Sequence, residues 1–171
     1  MPPPPDDRDA ARRLTPEDRA YLARAVALSR EHMAAGEGGP FGAVIVRHGQ
    51  VLAEGWNQVT STNDPTAHAE VVAIRRACQA VDTFALEGAV LYASCEPCPL
   101  CLAAAYWARL SGIVYANTRQ DAAAIGFDDA FIYDEIPKAP AERVLPMRHA
   151  PLDEAKAVFD AWMKKADRIA Y

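Results

Sequence analysis

Apolar residues recur at Leu22, Val26 and Met33, with alanines beside them, at the spacing of one helical face. Thr15-Pro16-Glu17-Asp18 precedes them: a capping side chain, a proline suited to the first helical position, and two acids that favour the positive helix end. The pattern predicts a helix over 16–35, stopped by Gly36. Phe41 to Arg47 is apolar and β-branched, His48-Gly49 marks a turn, and Val51 to Val59 resumes, which reads as a hairpin. A polar loop, Thr60 to Thr66, leads into a second helix from Ala67, with Val71, Ile74, Cys78 and Val81 on one face. Ala89 to Ala93 is a short buried strand. A turn rich in proline and cysteine follows, then an almost wholly apolar helix, Leu100 to Ala108, a pattern expected of a helix buried between layers. Ile113 to Ala116 is the next strand, and 119–135 holds one or two short helices. Arg143-Val144-Leu145 is a candidate edge strand. Pro151 opens a last amphipathic helix bearing Val158, Phe159, Trp162, Ala166 and Ile169.

The order α–β–β–α–β–α–β–α–(β)–α implies an α/β fold, a mixed sheet with helices on both faces. One domain over 14–171 is expected, after a disordered tail at 1–13 where four consecutive prolines give way to mixed charge. A chain of 171 residues with 51% apolar content is long enough to close one core. No run approaches the roughly 20 uncharged apolar residues of a membrane span, and the first ten residues lack the apolar segment of a secretory signal. The formal net charge of −5 weighs against a partner with a phosphate backbone. Short basic runs such as Arg75-Arg76 and Lys164-Lys165 do not make a basic face. A cytoplasmic protein is expected, with neither membrane nor nucleic acid as partner.

The cysteines change the picture. Cys95, Cys98 and Cys101 crowd into seven residues, with Cys78 apart on an apolar helical face, where it reads as core. A disulfide framework would be spread along the chain, so the cluster points to metal or redox chemistry. Cys98 and Cys101 are three apart at a helix start, and on one helical turn their sulfurs point the same way. His68 and Glu70 sit at another helix start, two apart, so one can bind a metal while the other faces what the metal binds. One His and two Cys make three ligands. A structural zinc takes four; a catalytic zinc keeps one position for water. Cys95 is the nearest fourth candidate, and its other reading is packing or support of the ligands. Two helix N-termini aimed at the site would favour both thiolate and hydroxide. Glu70 could then take a proton from the activated water and pass it to a ring nitrogen and a leaving group.

His68-Ala69-Glu70 followed by Pro97-Cys98-Pro99-Leu100-Cys101 resembles the signature of the zinc-dependent nucleobase and nucleoside deaminases. Longer segments, Gly38 to Val46, Asn63 to Glu70, Ser94 to Cys101, Tyr106 to Arg109 and Gly126 to Tyr133, are similar to the bacterial guanine deaminases of the cytidine/deoxycytidylate deaminase-like zinc hydrolase superfamily. The resemblance implies a three-layer α/β/α sandwich around a mixed five-stranded sheet. It implies hydrolytic deamination of guanine to xanthine and ammonia, with guanosine, cytosine or an aminated triazine as the alternative substrate. It implies one Zn²⁺ per subunit on His68, Cys98 and Cys101, Glu70 as proton shuttle, and Asp129 at the purine edge or moving protons. Asn57 would bind the base, Phe41 would stack on it, and Ala69 would line its site. The family further implies a homodimer whose C-terminal segment crosses to the neighbour, placing Tyr171 over the other pocket. Without the resemblance, Phe41 also reads as core packing, and Asp128-Asp129 as a helix cap or a solvated pair.

Overall fold

Thr15 opens the first helix, α1 (Pro16–Ala34), as its sequence requires. The Thr15 hydroxyl accepts the Asp18 N–H at 3.1 Å, and the Asp18 carboxylate accepts the Thr15 N–H at 2.9 Å. The computed structural model describes residues 14–170. The expected tail at 1–13 and Tyr171 lie outside the described residues. The chain falls into two compact units, one ending at Asp129 and one beginning at Ala130.

In the first unit, β1 (Gly42–Arg47) and β2 (Gln50–Trp56) form the expected hairpin. Its turn uses His48 and Gly49, both at positive φ, which matches the twist of the paired strands. β2 ends at Trp56 rather than Val59, because the polar loop begins with a short helix, α2 (Val59–Thr62). Next come α3 (Ala69–Ala80), β3 (Ala89–Cys95), α4 (Pro99–Trp107), β4 (Gly112–Asn117) and α5 (Arg119–Ala124). The sheet order is β2-β1-β3-β4, antiparallel except for the parallel pair β3 and β4.

Alternation along β1 builds two cores. Ala43 and Ile45 join Leu91 and Ala93 of β3 against Ala69, Ala73 and Ala77 of α3, with Ala104 and Ala108 from the α4 segment. Val44, Val46 and Tyr92 face Ala25 and Leu28 of α1 on the opposite side. The sheet is therefore covered by helices on both faces. Cys78 packs against the α3-side core, as its position on the helix suggested. α3 lies very close to β2: a Cβ at Gly55 would stand 2.3 Å from the Ala69 carbonyl oxygen. Only glycine admits that approach, which presses the first turn of α3 onto the sheet.

Two expectations change here. The sheet has four strands among the described residues, not five. α4 is not buried on all sides: Cys101 and Ala105 are its buried residues, while Tyr106 and Trp107 are 77% and 66% exposed. An apolar composition does not say how much of a helix a neighbour covers, and here the sheet side takes only the small residues.

The second unit contains α6 (Ala130–Glu135), a 3₁₀ turn at Pro140–Glu142 and α7 (Asp153–Lys164). None of these three elements holds a buried residue. The expected strand at 143–145 is absent because its polar groups are spent locally. The Val144 N–H donates to the Glu135 carboxylate at 2.7 Å, and the Arg143 guanidinium donates to the carbonyls of Lys138 and Ile136. α7 is amphipathic as expected but stops at Lys164, so Ala166 and Ile169 lie beyond it.

Candidate active site

His68 and Cys98 each occupy the N-cap position of a helix, His68 for α3 and Cys98 for α4. Neither side chain serves as an ordinary oxygen cap, and the Cys98 Sγ meets Cys101 in the first turn of α4. The His68 and Cys98 side chains turn to a common point, which the third turn-mate Cys101 also faces. The His68 Nδ1 lies 3.4 Å from the Sγ of Cys98 and 3.4 Å from the Sγ of Cys101, and the two sulfurs are 3.5 Å apart. A tetrahedral zinc, with Zn–S near 2.3 Å and Zn–N near 2.0–2.1 Å, separates its ligand atoms by about 3.5–3.8 Å. The triangle is within a few tenths of an ångström of that, and its nitrogen and two sulfurs are the donor types zinc prefers. The three residues form the metal-competent His/Cys/Asp/Glu group among the described residues.

The approach to His68 is fixed by its own loop. The Asp64 carboxylate accepts the Thr66 N–H at 2.8 Å and the Thr66 hydroxyl at 2.7 Å, and the His68 N–H donates to the Thr66 carbonyl. Pro99 fills the first position of α4 and preorganises the turn that carries both cysteines.

Cys95 is not a fourth ligand in this arrangement. It is buried at the end of β3, and its Sγ lies 3.5 Å from the Thr118 carbonyl oxygen. Burial pushes its thiol up to about 11. Cys98 behaves oppositely: hydrogen bonding with Cys101, against the cost of burial and with help from His68, pulls it down to about 4. Cys101 is raised by the same bond and by burial, so the pair favours one thiolate, on Cys98. The hydrogen bond with Cys98 raises the His68 imidazole against the opposing effect of burial.

Glu70 lies in the first turn of α3 and is 7% exposed. Burial raises its carboxyl, and the Cys98 charge adds to that. Asp129 is raised by burial first and then by Cys98, while Arg119 lowers it. Its charge also acts on His68, so the structure brings Asp129 into the electrostatic environment of the trio.

The expected base-contacting residues divide. Asn57 is buried just past β2, and its Oδ1 accepts the N–H of Gly39 and of Val59, both at 3.2 Å. That fixes the amide orientation and spends its acceptor, leaving the Nδ2 donor to meet a ligand. The Asn57 N–H donates to the Phe41 carbonyl at 3.0 Å, which ties the two residues together. A Cβ at Gly38 would stand 2.0 Å from the Asn57 carbonyl oxygen, so the Gly38-Gly39 bend lies directly against it. Phe41 is half-buried, packs against the α3-side core and meets Phe127 edge-on. Both readings of Phe41 thus describe the same ring. The Ala69 methyl is fully buried in that core, which leaves only its backbone for a ligand. Tyr171 lies outside the described residues.

Sequence reasoning overlooked two residues. Glu96, inside the cysteine turn, accepts the Arg119 N–H at 3.1 Å and pairs with its guanidinium at 3.8 Å, binding the start of α5 to the metal turn. Its place in Cys95-Glu96-Pro97-Cys98 was the available signal. Phe127 lies in the Gly126 to Tyr133 segment that carries the resemblance, and that place was its signal.

Residues 15–117 match the family model described as the cytidine and deoxycytidylate deaminase zinc-binding region. The chain is 52% identical over 151 residues to guanine deaminase from Bacillus subtilis (strain 168), which covers 88% of this chain and 97% of that protein. The X-ray structure of guanine deaminase from Bacillus subtilis superimposes with a TM-score of 0.87 over 90% of this chain and 98% of that one. A tRNA-specific adenosine deaminase from Aquifex aeolicus is 30% identical over 126 residues, 74% of this chain and 81% of its own length. With the ligand triangle lying inside the matched region, the chain belongs to the cytidine and deoxycytidylate deaminase zinc-binding family.

Proposed function

We propose that this chain hydrolyses guanine to xanthine and ammonia. The observation that carries the reading is the three-ligand triangle of His68, Cys98 and Cys101 with the buried Glu70 carboxyl beside it. When bound there, zinc supplies Lewis-acid activation of the attacking water. Glu70 then does the proton work: it carries one proton of that water to a ring nitrogen, and the second, from the oxygen now bonded to C2, to the departing amino group. Its raised pKa suits a group that must both accept and release a proton. One water is consumed: its oxygen bonds to C2, the bond from C2 to the exocyclic amino nitrogen breaks, and ammonia leaves.

The substrate follows from which groups remain free to meet it. Asn57 offers Nδ2 donors, and guanine presents acceptors at O6 and N7. Asp129 is an acceptor for the N1–H and N2–H edge. Phe41 supplies an aromatic face for the ring, and the Ala69 backbone lines the base site. The identity to guanine deaminase along nearly the whole of both chains supports the same base. The reading extends to one Zn²⁺ per subunit, a single deaminase domain, and a homodimer in which Tyr171 covers the pocket of the other copy. It also places the enzyme in the cytoplasm, consistent with four free cysteines. Among the described residues no helix is long and apolar enough to cross a membrane.

The test is ammonia release by metal-assayed protein from guanine, guanosine, cytosine, adenine and ammeline. Guanine turns over fastest if the reading is right. Faster release from guanosine or any other member of the panel replaces it with that substrate.

A further inference from the structure

Phe127 has no part in the chemistry described so far, yet its placement is specific. Its residue is 45% exposed, so burial alone does not account for an aromatic there. The backbone aims it. α5 ends with the Gly126 N–H donating to the Ala123 carbonyl and the Phe127 N–H donating to the Ala122 carbonyl, both at 3.0 Å. Gly126 sits at φ +93°, where any side chain is strained, and the two bonds make a Schellman close. The ring that leaves this close meets Phe41 edge-on, centroids 4.9 Å apart and planes at 89°. Its Cζ would lie 3.2 Å from a Cβ at Gly39. Phe41 and Gly39 are both bonded to Asn57, Phe41 through the Asn57 N–H and Gly39 through Oδ1. Asp129 follows Phe127 by two residues and acts electrostatically on His68 and Cys98.

One ring therefore stands between the segment carrying Phe41 and Asn57's partner and the segment carrying Asp129. We propose that Phe127 is a positioning residue for the base: its edge contact sets the angle of the Phe41 ring and the reach of Asp129, and it acts through them without touching the reacting atoms. The proposal rests on the reading of Phe41 as the platform for a base.

An aromatic edge contact is worth up to about tenfold in an equilibrium constant. Phe127→Ala should raise KM for guanine about tenfold and change kcat by less than about threefold. Zinc stoichiometry should be unchanged. Phe127→Tyr keeps the edge and should restore wild-type KM, whereas Phe127→Leu keeps bulk without the edge and should not. In a Phe41→Leu background, Phe127→Ala should add less than about twofold, because the contact is already gone. Gly39→Ala and Gly126→Ala, which disturb the same contact from either end, should move KM in the same direction. Should Phe127→Ala fail to fold, Phe127→Leu and Gly39→Ala carry the same test. Unchanged KM, an equal loss in kcat with loss of zinc, or full additivity with Phe41→Leu overturns the proposal. If wild-type protein prefers another base of the panel, the guanine reading falls alone and the KM split is measured on that base. If it turns over none, both fall.

Discussion

Two kinds of helix start occur in the first unit. α1 and α5 begin with threonine boxes: Thr15 with Asp18, and Thr118 with Asp121, each satisfying free N–H groups through paired side-chain bonds. α3 and α4 begin with His68 and Cys98, neither of which supplies an ordinary oxygen cap. A capping side chain contributes about 0.5–2 kcal/mol to a helix. Three starts lack such a cap: the single-turn α2 at Gln58, and α3 and α4, whose starts face the ligand triangle. The positive ends of α3 and α4 favour the anionic forms that ligation requires, and the Cys101 N–H itself helps to lower the Cys98 thiol. The two functional starts differ in support: α3 buries seven residues, Glu70 among them, while α4 buries Cys101 and Ala105.

The largest effect should come from breaking a functional start. His68→Ala should remove both zinc and activity, read by metal analysis and ammonia release; full zinc occupancy in that variant would remove His68 from the ligand set. Glu70→Gln should retain zinc and lose about 10²–10⁴-fold in turnover, the scale of a general acid–base group. Near-normal turnover would leave the buried carboxyl with a packing role only. At a structural start, Thr15→Ala should cost about 1 kcal/mol of stability by denaturant melt, with zinc content and KM unchanged. A change in metal affinity there would show that the two kinds of start are not independent.

The smallest effect is a pH dependence on the face away from the site. The Tyr92 hydroxyl donates to the Asp18 carboxylate at 2.6 Å, which lowers Asp18, while burial first and then this bond raise Tyr92. Asp18 is partly exposed, and solvent screening holds the contribution under about 1 kcal/mol. Because the folded pKa of Asp18 is depressed, its stabilisation is present above about pH 4 and fades as pH falls through the folded value. Because that of Tyr92 is raised, its stabilisation is present below about pH 10 and fades as pH rises through the folded value. Tyr92→Phe should flatten both limbs of the stability profile without changing metal content.

Much of the site was legible in one dimension because short-range geometry carries it. Cys98 and Cys101 share a turn whatever surrounds them, and His68 and Glu70 follow a loop whose Asp64-Pro65-Thr66 turn chemistry is local. The same holds for Thr15 and for the hairpin at His48-Gly49. Where expectation failed, a long-range or competing interaction decided. Val144 looked like strand until its N–H found the Glu135 carboxylate. α4 looked buried because composition does not report coverage. The hold of the Gly39 N–H on the Asn57 Oδ1, across 18 residues of sequence, is likewise a contact of the fold.

The order of the elements, the caps and the three ligand types were written into the chain itself, since each depends on residues within a turn or two of one another. Bringing His68 to within 3.4 Å of sulfurs 30 and 33 residues distant was the work of the fold. So was setting Phe127 against Phe41. Those distances exist only because β1 and β3 pair and because Gly55 lets α3 lie on the sheet, so that two helix starts separated in sequence open at one place.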